Sequence, residues 1–265
     1  MRWSAALLMF AAGCGSAPSP QAAPDYDFRT VEYRDGVAVL EGYLAKPGDF
    51  DSGNLQPAVL VVHEWWGRTA HADRSAERLA ESGYAALAVD MYGKGKVTSD
   101  PGQAGAWAAE FRKDPEKGIR RLRAALDILL AQPGVDRTRV ACIGFCFGGT
   151  VSLEAAWAGL DLRAVVSFHG SLTTPRPEQA AGVKASVLVC HGADDPFVPR
   201  DAVDAFEKSM KENRFDWQFA SYGGAVHSFT NPQADGSLNP GAKYHPAAAA
   251  RAWSLAESFL AERLR

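Results

Sequence analysis

Apolar and polar positions follow two different patterns along this chain. Continuous apolar runs predict buried strands, at residues 58–63, 85–90, 139–144, 164–168 and 186–190, with a further strand near 217–221. Helical patterns lie between or after these runs, at about 69–82, 115–130, 201–211 and 246–264. Because strands that are apolar throughout need cover on both faces, the pattern predicts a mostly parallel α/β sheet between two layers of helices.

The pattern differs before residue 58. Segments 30–34 and 37–45 alternate in polarity and are joined through Asp35-Gly36, a dipeptide that suits a tight hairpin turn. An antiparallel pair at the sheet edge is therefore expected. The chain has 265 residues, of which 47% are hydrophobic and 22% charged, so it can bury one large core. No internal repeat or second folded domain is visible.

The first 24 residues are set apart from this domain. Arg2 precedes an apolar run that is too short to span a bilayer, which predicts an export signal. Small residues directly before Cys14 indicate a lipoprotein box in which Cys14 is lipidated, and an ordinary secretory signal cut before Ala23 is the alternative. Residues 15–24 suit an extended tether. We thus predict a signal and tether at 1–24, a folded domain at 25–265, and an exported protein that is either lipid-anchored in the cell envelope or secreted.

Charge and cysteine usage exclude several classes of protein. The net charge is −3 and the basic residues are scattered, so neither nucleic acid nor a polybasic membrane surface is indicated. No two histidines stand at i, i+4 on a predicted helix and no Cys-x-x-Cys pair occurs, so we expect no metal and no cofactor. Cys142 and Cys190 are expected to be buried strand residues. We expect a monomer.

Cys146 stands in a glycine-rich turn between a strand and a helix. The segment Gly-Phe-Cys-Phe-Gly-Gly at 144–149 is typical of a nucleophile elbow, with cysteine in place of serine. A helix N-terminus favours the thiolate through its unpaired amides and its dipole, so Cys146 is the predicted nucleophile. Two alternatives stay open: an inert cysteine in a structural turn, and a redox thiol partnered by Cys142.

An acid and a histidine follow in the chain. Asp194 and Asp195 come directly after a buried strand, at the sheet edge where ligands gather, and His227 lies in the loop after the last strand. Asp195 is preferred because it precedes Pro-Phe-Val-Pro, whereas Asp194 suits a turn cap; a solvated turn aspartate is the alternative for either. The order nucleophile, acid, histidine is that of α/β-hydrolases. We predict that fold, with His227 as base and Asp195 orienting it.

The segment after the first buried strand completes the predicted site. The backbone amides of Phe147 and Trp65 are expected to hold a developing oxyanion. A carboxylate at Glu64 would repel a nearby thiolate and favour the protonated thiol, so we predict that Glu64 gates the nucleophile; a structural salt bridge is the alternative. Trp66 is predicted to contact substrate, and simple packing of the cleft wall is its alternative.

Together these motifs resemble the dienelactone hydrolase family of α/β-hydrolases, from about residue 26 to the C-terminus. The resemblance implies cleavage of a small ester or lactone through a thioester on Cys146, with Glu64 leaving the cysteine when substrate binds. Family members that cleave dienelactones use arginines for the substrate carboxylate, whereas this chain has Lys94, and Ser228 and Asn231 follow the histidine; all three are predicted substrate contacts. A general esterase or thioesterase, or a degenerate hydrolase that only binds ligand, are the alternatives.

Overall fold

One sheet organises the molecule, for which the computed structural model describes residues 25–48 and 55–265. Its strands are β1 (Tyr26–Asp35), β2 (Ala38–Pro47), β3 (Gln56–Val62), β4 (Ala85–Val89), β5 (Val135–Phe145), β6 (Ala164–Phe168), β7 (Ser186–Gly192) and β8 (Trp217–Tyr222). The spatial order is β1-β2-β4-β3-β5-β6-β7-β8. β2 is antiparallel to both β1 and β4, and the other neighbouring pairs are parallel.

Helices cover both faces of this sheet. They are α1 (Ala70–Glu81), α2 (Pro101–Lys113), α3 (Pro115–Leu130), α4 (Phe147–Trp157), α5 (Pro177–Ala180), α6 (Arg200–Glu212) and α7 (Pro246–Arg263). Along β3, Leu60 and Val62 pack in one core with α3, α4 and α6, whereas Val59 and Val61 pack in a second core with α1 and α7. Successive strand side chains point to opposite faces, so both faces are buried and the predicted α/β fold is confirmed.

The hairpin differs slightly from its prediction. Asp35 pairs with Ala38, so the two loop residues are Gly36 and Val37 rather than Asp35 and Gly36. Gly36 has φ of +58°, which glycine adopts without strain, while Val37 is 98% exposed. A turn with positive φ only at its first central residue tolerates valine at the second, and this explains the shift.

Helix α2 was not predicted from the sequence. Asp100 caps it by accepting a hydrogen bond from the Gly102 amide at 2.9 Å, and Pro101 occupies the first helical position. Its buried face consists of two alanines and Phe111, which is too weakly apolar to stand out as a periodic pattern. The sequence therefore contains the capping residues that begin a helix, but the apolar periodicity of the residues that follow is too weak to predict one.

Two N-terminal predictions fall outside the described residues, namely the export signal and the lipidation of Cys14. Among the described residues, no helix combines the length and apolar character needed to cross a membrane.

Candidate active site

Cys146 sits at a sharp turn between β5 and α4. Its φ of +53° is a conformation that non-glycine residues rarely adopt, and it serves as the N-cap of α4. The flanking glycines make this turn possible, because a Cβ at Gly144 would lie 2.1 Å from the Gly148 carbonyl and one at Gly148 would lie 2.3 Å from the Val62 carbonyl. The half-buried Cys146 side chain therefore projects at the carboxyl end of the sheet.

His169 supports the Cys146 backbone and was given no role in the sequence prediction. The Cys146 amide donates to the Phe168 carbonyl at 3.0 Å and to His169 Nδ1 at 3.1 Å. The other ring nitrogen of His169 lies 2.8 Å from Thr230 Oγ1, and burial holds the pKa of the imidazole well below its ordinary value. The neutral His169 ring thus accepts the hydrogen bond of the Cys146 amide at Nδ1 and stabilises the strained backbone of the turn.

Asp195 and His227 meet beside this turn. Asp195 Oδ2 accepts from His227 Nδ1 at 2.8 Å, and Asp195 Oδ1 accepts from the Phe197 amide at 2.9 Å. Asp195 is 6% exposed, whereas Asp194 is exposed to solvent. The structure therefore brings Asp195 rather than its neighbour to the histidine, and it fixes the imidazole so that Nε2 is free for another partner.

Cys146 is that partner. Burial lowers the pKa of His227, but the charge of Cys146 and hydrogen bonds with Asp195 and Cys146 outweigh it and raise the pKa to about 10. At neutral pH the imidazole is then protonated and lies between the Asp195 carboxylate and the Cys146 sulfur. An imidazolium in this place can stabilise a negative charge on the sulfur and can give a proton to a leaving group.

This ion pair predicts the charge state of His227. Its imidazole is expected to remain protonated on both nitrogens at pH 8, whereas Cys146→Ala removes the interaction with the sulfur that raises the pKa of His227 and should leave the ring neutral at the same pH. Nitrogen-15 chemical shifts of the ring report the two forms directly. A neutral His227 at pH 8 in the unaltered protein would contradict the ion pair.

The backbone amides of Phe147 and Trp65 are those predicted to form an oxyanion hole. Neither the Phe147 nor the Trp65 amide is used by a turn or loop hydrogen bond in the described part of the chain. The Glu64 carbonyl, which shares a peptide unit with the Trp65 amide, lies 2.5 Å from His63 Nδ1. Because carbonyl and amide of a trans peptide point in opposite directions, His63 fixes where the Trp65 amide points.

His63 is a second positioning residue that the sequence prediction left without a role. Its Nε2 accepts from the Met91 amide at 3.2 Å, which leaves the proton on Nδ1 for the Glu64 carbonyl. Burial lowers the pKa of His63 to about 4, so the ring stays neutral. Its ring also packs on Tyr92 and Phe147.

Glu64 is buried, and its carboxylate partners differ from those predicted. Ser228 Oγ donates to Oε1 at 3.0 Å and Asn231 Nδ2 donates to Oε2 at 2.5 Å, while His71 Nδ1 lies 3.8 Å from Oε2. Within the described residues neither oxygen of Glu64 is hydrogen-bonded to Cys146. Ser228 and Asn231 are both buried and bound to Glu64, and their contact with substrate stays a prediction.

Lys94 also has other partners than a substrate. Its ammonium lies 2.8 Å from Glu32 and 3.5 Å from Glu41, on the antiparallel strands at the sheet edge. The side chain is half exposed and its charge is balanced there, and its contact with substrate stays a prediction. Trp66 is half-buried and packs on Trp65 with ring centroids 4.7 Å apart, at a place that suits a cleft wall.

The other cysteines do not favour redox chemistry. Cys142 and Cys190 are fully buried in β5 and β7, and burial raises the pKa of each thiol to about 12. Cys142 Sγ lies 3.3 Å from Ser152 Oγ within the core. Among the described residues no group of acidic, histidine and cysteine side chains could hold a metal ion.

Comparisons with known proteins agree with one another. The model of the dienelactone hydrolase family matches residues 40–264. Protein usf of Aquifex pyrophilus is 30% identical over 239 residues, covering 88% of this chain and 98% of the relative. A protein of Aquifex aeolicus assigned by name to the carboxymethylenebutenolidases is 29% identical, covering 89% and 98%. The solved structure of P91, a dienelactone hydrolase-like promiscuous phosphotriesterase from metagenomic libraries, is 39% identical with a TM-score of 0.86, covering 91% and 99%.

Proposed function

Because the chain belongs to the dienelactone hydrolase family, we propose that it hydrolyses a carboxylic ester or lactone through an acyl-enzyme on Cys146. One observation carries the proposal: His227 is hydrogen-bonded to Cys146 on one side and to Asp195, at 2.8 Å, on the other. These interactions support a triad in which Cys146 is the nucleophile, His227 carries the proton and Asp195 orients the histidine, as acyl transfer needs.

Acylation begins with attack of the Cys146 thiolate on the ester carbonyl carbon. The new carbon–sulfur bond moves the carbonyl electron pair onto oxygen, where the amides of Phe147 and Trp65 stabilise the negative charge. When the carbonyl re-forms, the carbon–oxygen bond to the leaving group breaks. The departing oxygen takes the proton from His227, which leaves a thioester and a neutral imidazole.

Water completes the cycle. Neutral His227 removes a proton from a water molecule as its oxygen attacks the thioester carbonyl, and collapse of this second intermediate returns the thiolate and releases the acid. Asp195 keeps Nδ1 protonated throughout, so Nε2 faces the reaction. A thiolate leaves more readily than an amine, which favours esters and lactones with good leaving groups over amides.

Glu64 takes a gating role in this proposal, with Ser228 and Asn231 as the residues that hold it. Their two hydrogen bonds keep the carboxylate away from the sulfur, so the thiolate can pair with His227. If Glu64 turned towards Cys146, like charges would disfavour the thiolate. In this proposal, the hydrogen bonds of Glu64 with Ser228 and Asn231 belong to the open state of the gate.

The substrate is uncharged in this proposal. The ammonium of Lys94 is already paired with Glu32 and Glu41, and the described segments 90–97 and 228–233 contain no arginine that could clamp a substrate carboxylate. Apolar surface lies nearby instead: Phe197, 48% exposed, meets the His227 ring edge-on at 5.2 Å. Trp65 and Trp66 suit the opposite wall.

A matched pair of substrates tests this point. We expect kcat/KM for the methyl ester of a dienelactone carboxylic acid to exceed that of the free acid about tenfold, because nothing offsets the cost of burying the carboxylate. The control Lys94→Gln should leave this ratio unchanged, since Lys94 is engaged elsewhere. A preference for the acid that disappears in Lys94→Gln would restore Lys94 as a substrate contact and contradict the neutral cleft.

A further inference from the structure

A cavity of about 270 Å³ opens between α1 and α7, and neither Cys146 nor His227 lines it. Its walls come from α1, from residues 230–233 and from the N-terminal half of α7. The proposed hydrolysis does not use this cavity. The volume is small for a ligand pocket, so it suits a molecule of the size of one substituted ring.

The charges around this cavity favour an anion. Arg74 and Arg78 line it and no acidic residue does. Arg78 is already paired, with Glu257 at 2.6 Å, but Arg74 has no carboxylate within 4.0 Å in the described part of the chain. The N-terminal turn of the 18-residue helix α7 also borders the cavity and adds the positive end of its dipole.

The other residues that line the cavity suit an aromatic ring that carries the anionic group. Tyr244 and Trp253 provide aromatic surface, and Pro246 and Ala249 provide aliphatic surface. Trp253 is held in place because the Arg78 guanidinium lies 4.6 Å from the centroid of its ring. A carboxylate near Arg74 with a ring against these side chains matches the cavity in charge and shape.

Two residues connect this cavity to Glu64. Asn231 and His71 both line it, and both approach Glu64 Oε2, at 2.5 Å and 3.8 Å. Burial lowers the pKa of His71, so the ring is neutral at pH 7 and cannot offset a second negative charge. A carboxylate in the cavity would compete with Glu64 for the same donors and repel it, so ligand binding and the position of Glu64 are linked.

We propose that this cavity is an effector site for a small aromatic carboxylate, and that its occupation displaces Glu64 from Asn231 and lowers ester turnover. The site is distinct from the ester cleft because neither Cys146 nor His227 contributes to it. The binding part of the proposal stands on the cavity alone, whereas the effect on turnover rests on the function proposed above.

Calorimetric titration with benzoate tests the binding part. We expect a Kd of about 1 mM for the full chain, about tenfold weaker binding by Arg74→Gln, and unchanged binding by the control Arg251→Gln, an exposed arginine of α7 outside the cavity. Benzamide, the uncharged analogue, should bind far more weakly. Equal affinity in all three proteins, or no binding to any, would overturn the site.

Steady-state kinetics with 4-nitrophenyl acetate test the effect on turnover. Benzoate should lower kcat without raising KM, less so in Arg74→Gln, and it should have no effect in Glu64→Gln, which lacks the displaced charge. A rise in KM that is the same in Arg74→Gln would place benzoate in the ester cleft and overturn the proposal. If the protein hydrolyses no ester at all, the proposed function fails, and the titration still decides whether the cavity binds the anion.

Discussion

Cys146→Ala is expected to lower kcat/KM for 4-nitrophenyl acetate by at least about 10³-fold, equivalent to about 4 kcal/mol of transition-state stabilisation. The reason is that the Cys146 sulfur is the only protein atom that bonds to the acyl carbon in the proposed pathway. Without Sγ, the oxyanion amides and His227 remain, but no acyl-enzyme can form. Release of 4-nitrophenol measures the loss, and circular dichroism checks that the fold is intact.

Cys142→Ala is the matched control, since it removes a thiol from β5, the strand that ends directly before Cys146. Cys142 is fully buried and faces Ser152, so this variant should lose some stability but keep its turnover. Full activity in Cys146→Ala would refute the hypothesis that Cys146 is the nucleophile. Absence of any turnover in the unaltered protein, with the fold intact, would favour a degenerate hydrolase that only binds ligand.

Asp195→Asn is expected to lower kcat by about 10³- to 10⁴-fold with little change in KM. An amide at this position can donate to His227 Nδ1, and the ring would then keep its proton on Nε2 and could no longer accept one from water. The Asp195 hydrogen bond is also one of the causes that raise the pKa of His227, so the imidazolium should be lost at a lower pH. Single-turnover kinetics separate acylation from deacylation.

The neighbouring Asp194→Asn provides the control. It makes the same chemical change one residue earlier, at an exposed carboxylate, and should leave kcat within about twofold. A comparable loss in both variants would mean that the whole loop matters rather than the one hydrogen bond. A loss in Asp194→Asn alone would exchange the roles of the two aspartates.

Much of the fold could be predicted because its signal is local. The strands β6 and β7 are short apolar runs bounded by polar residues, and a parallel sheet needs such runs wherever both faces are covered. The carboxyl ends of parallel strands lie at one edge of a sheet, so Cys146 after β5, Asp195 after β7 and His227 after β8 were expected to lie close together. Helix α2 was not predicted because its buried face is mostly alanine, which gives a weak apolar pattern.

The support of the site could not be predicted from local pattern. His169 reaches the Cys146 amide only because β5 and β6 are neighbours, and nothing around His169 in the sequence indicates that contact. Ser228 and Asn231 follow the histidine and were expected in the cleft, yet they turn to Glu64, more than 160 positions earlier. Lys94 was assigned by its residue type, whereas its partners are set by the pairing of β1 with β2.

Rapid-quench analysis of the reaction with 4-nitrophenyl acetate tests the central claim most directly. The account predicts a burst of 4-nitrophenol equal to the enzyme concentration, accompanied by one acetyl group that peptide mass spectrometry locates on Cys146 as a thioester cleaved by hydroxylamine. An acetyl group on any other side chain, or turnover with no acyl-enzyme, would contradict it.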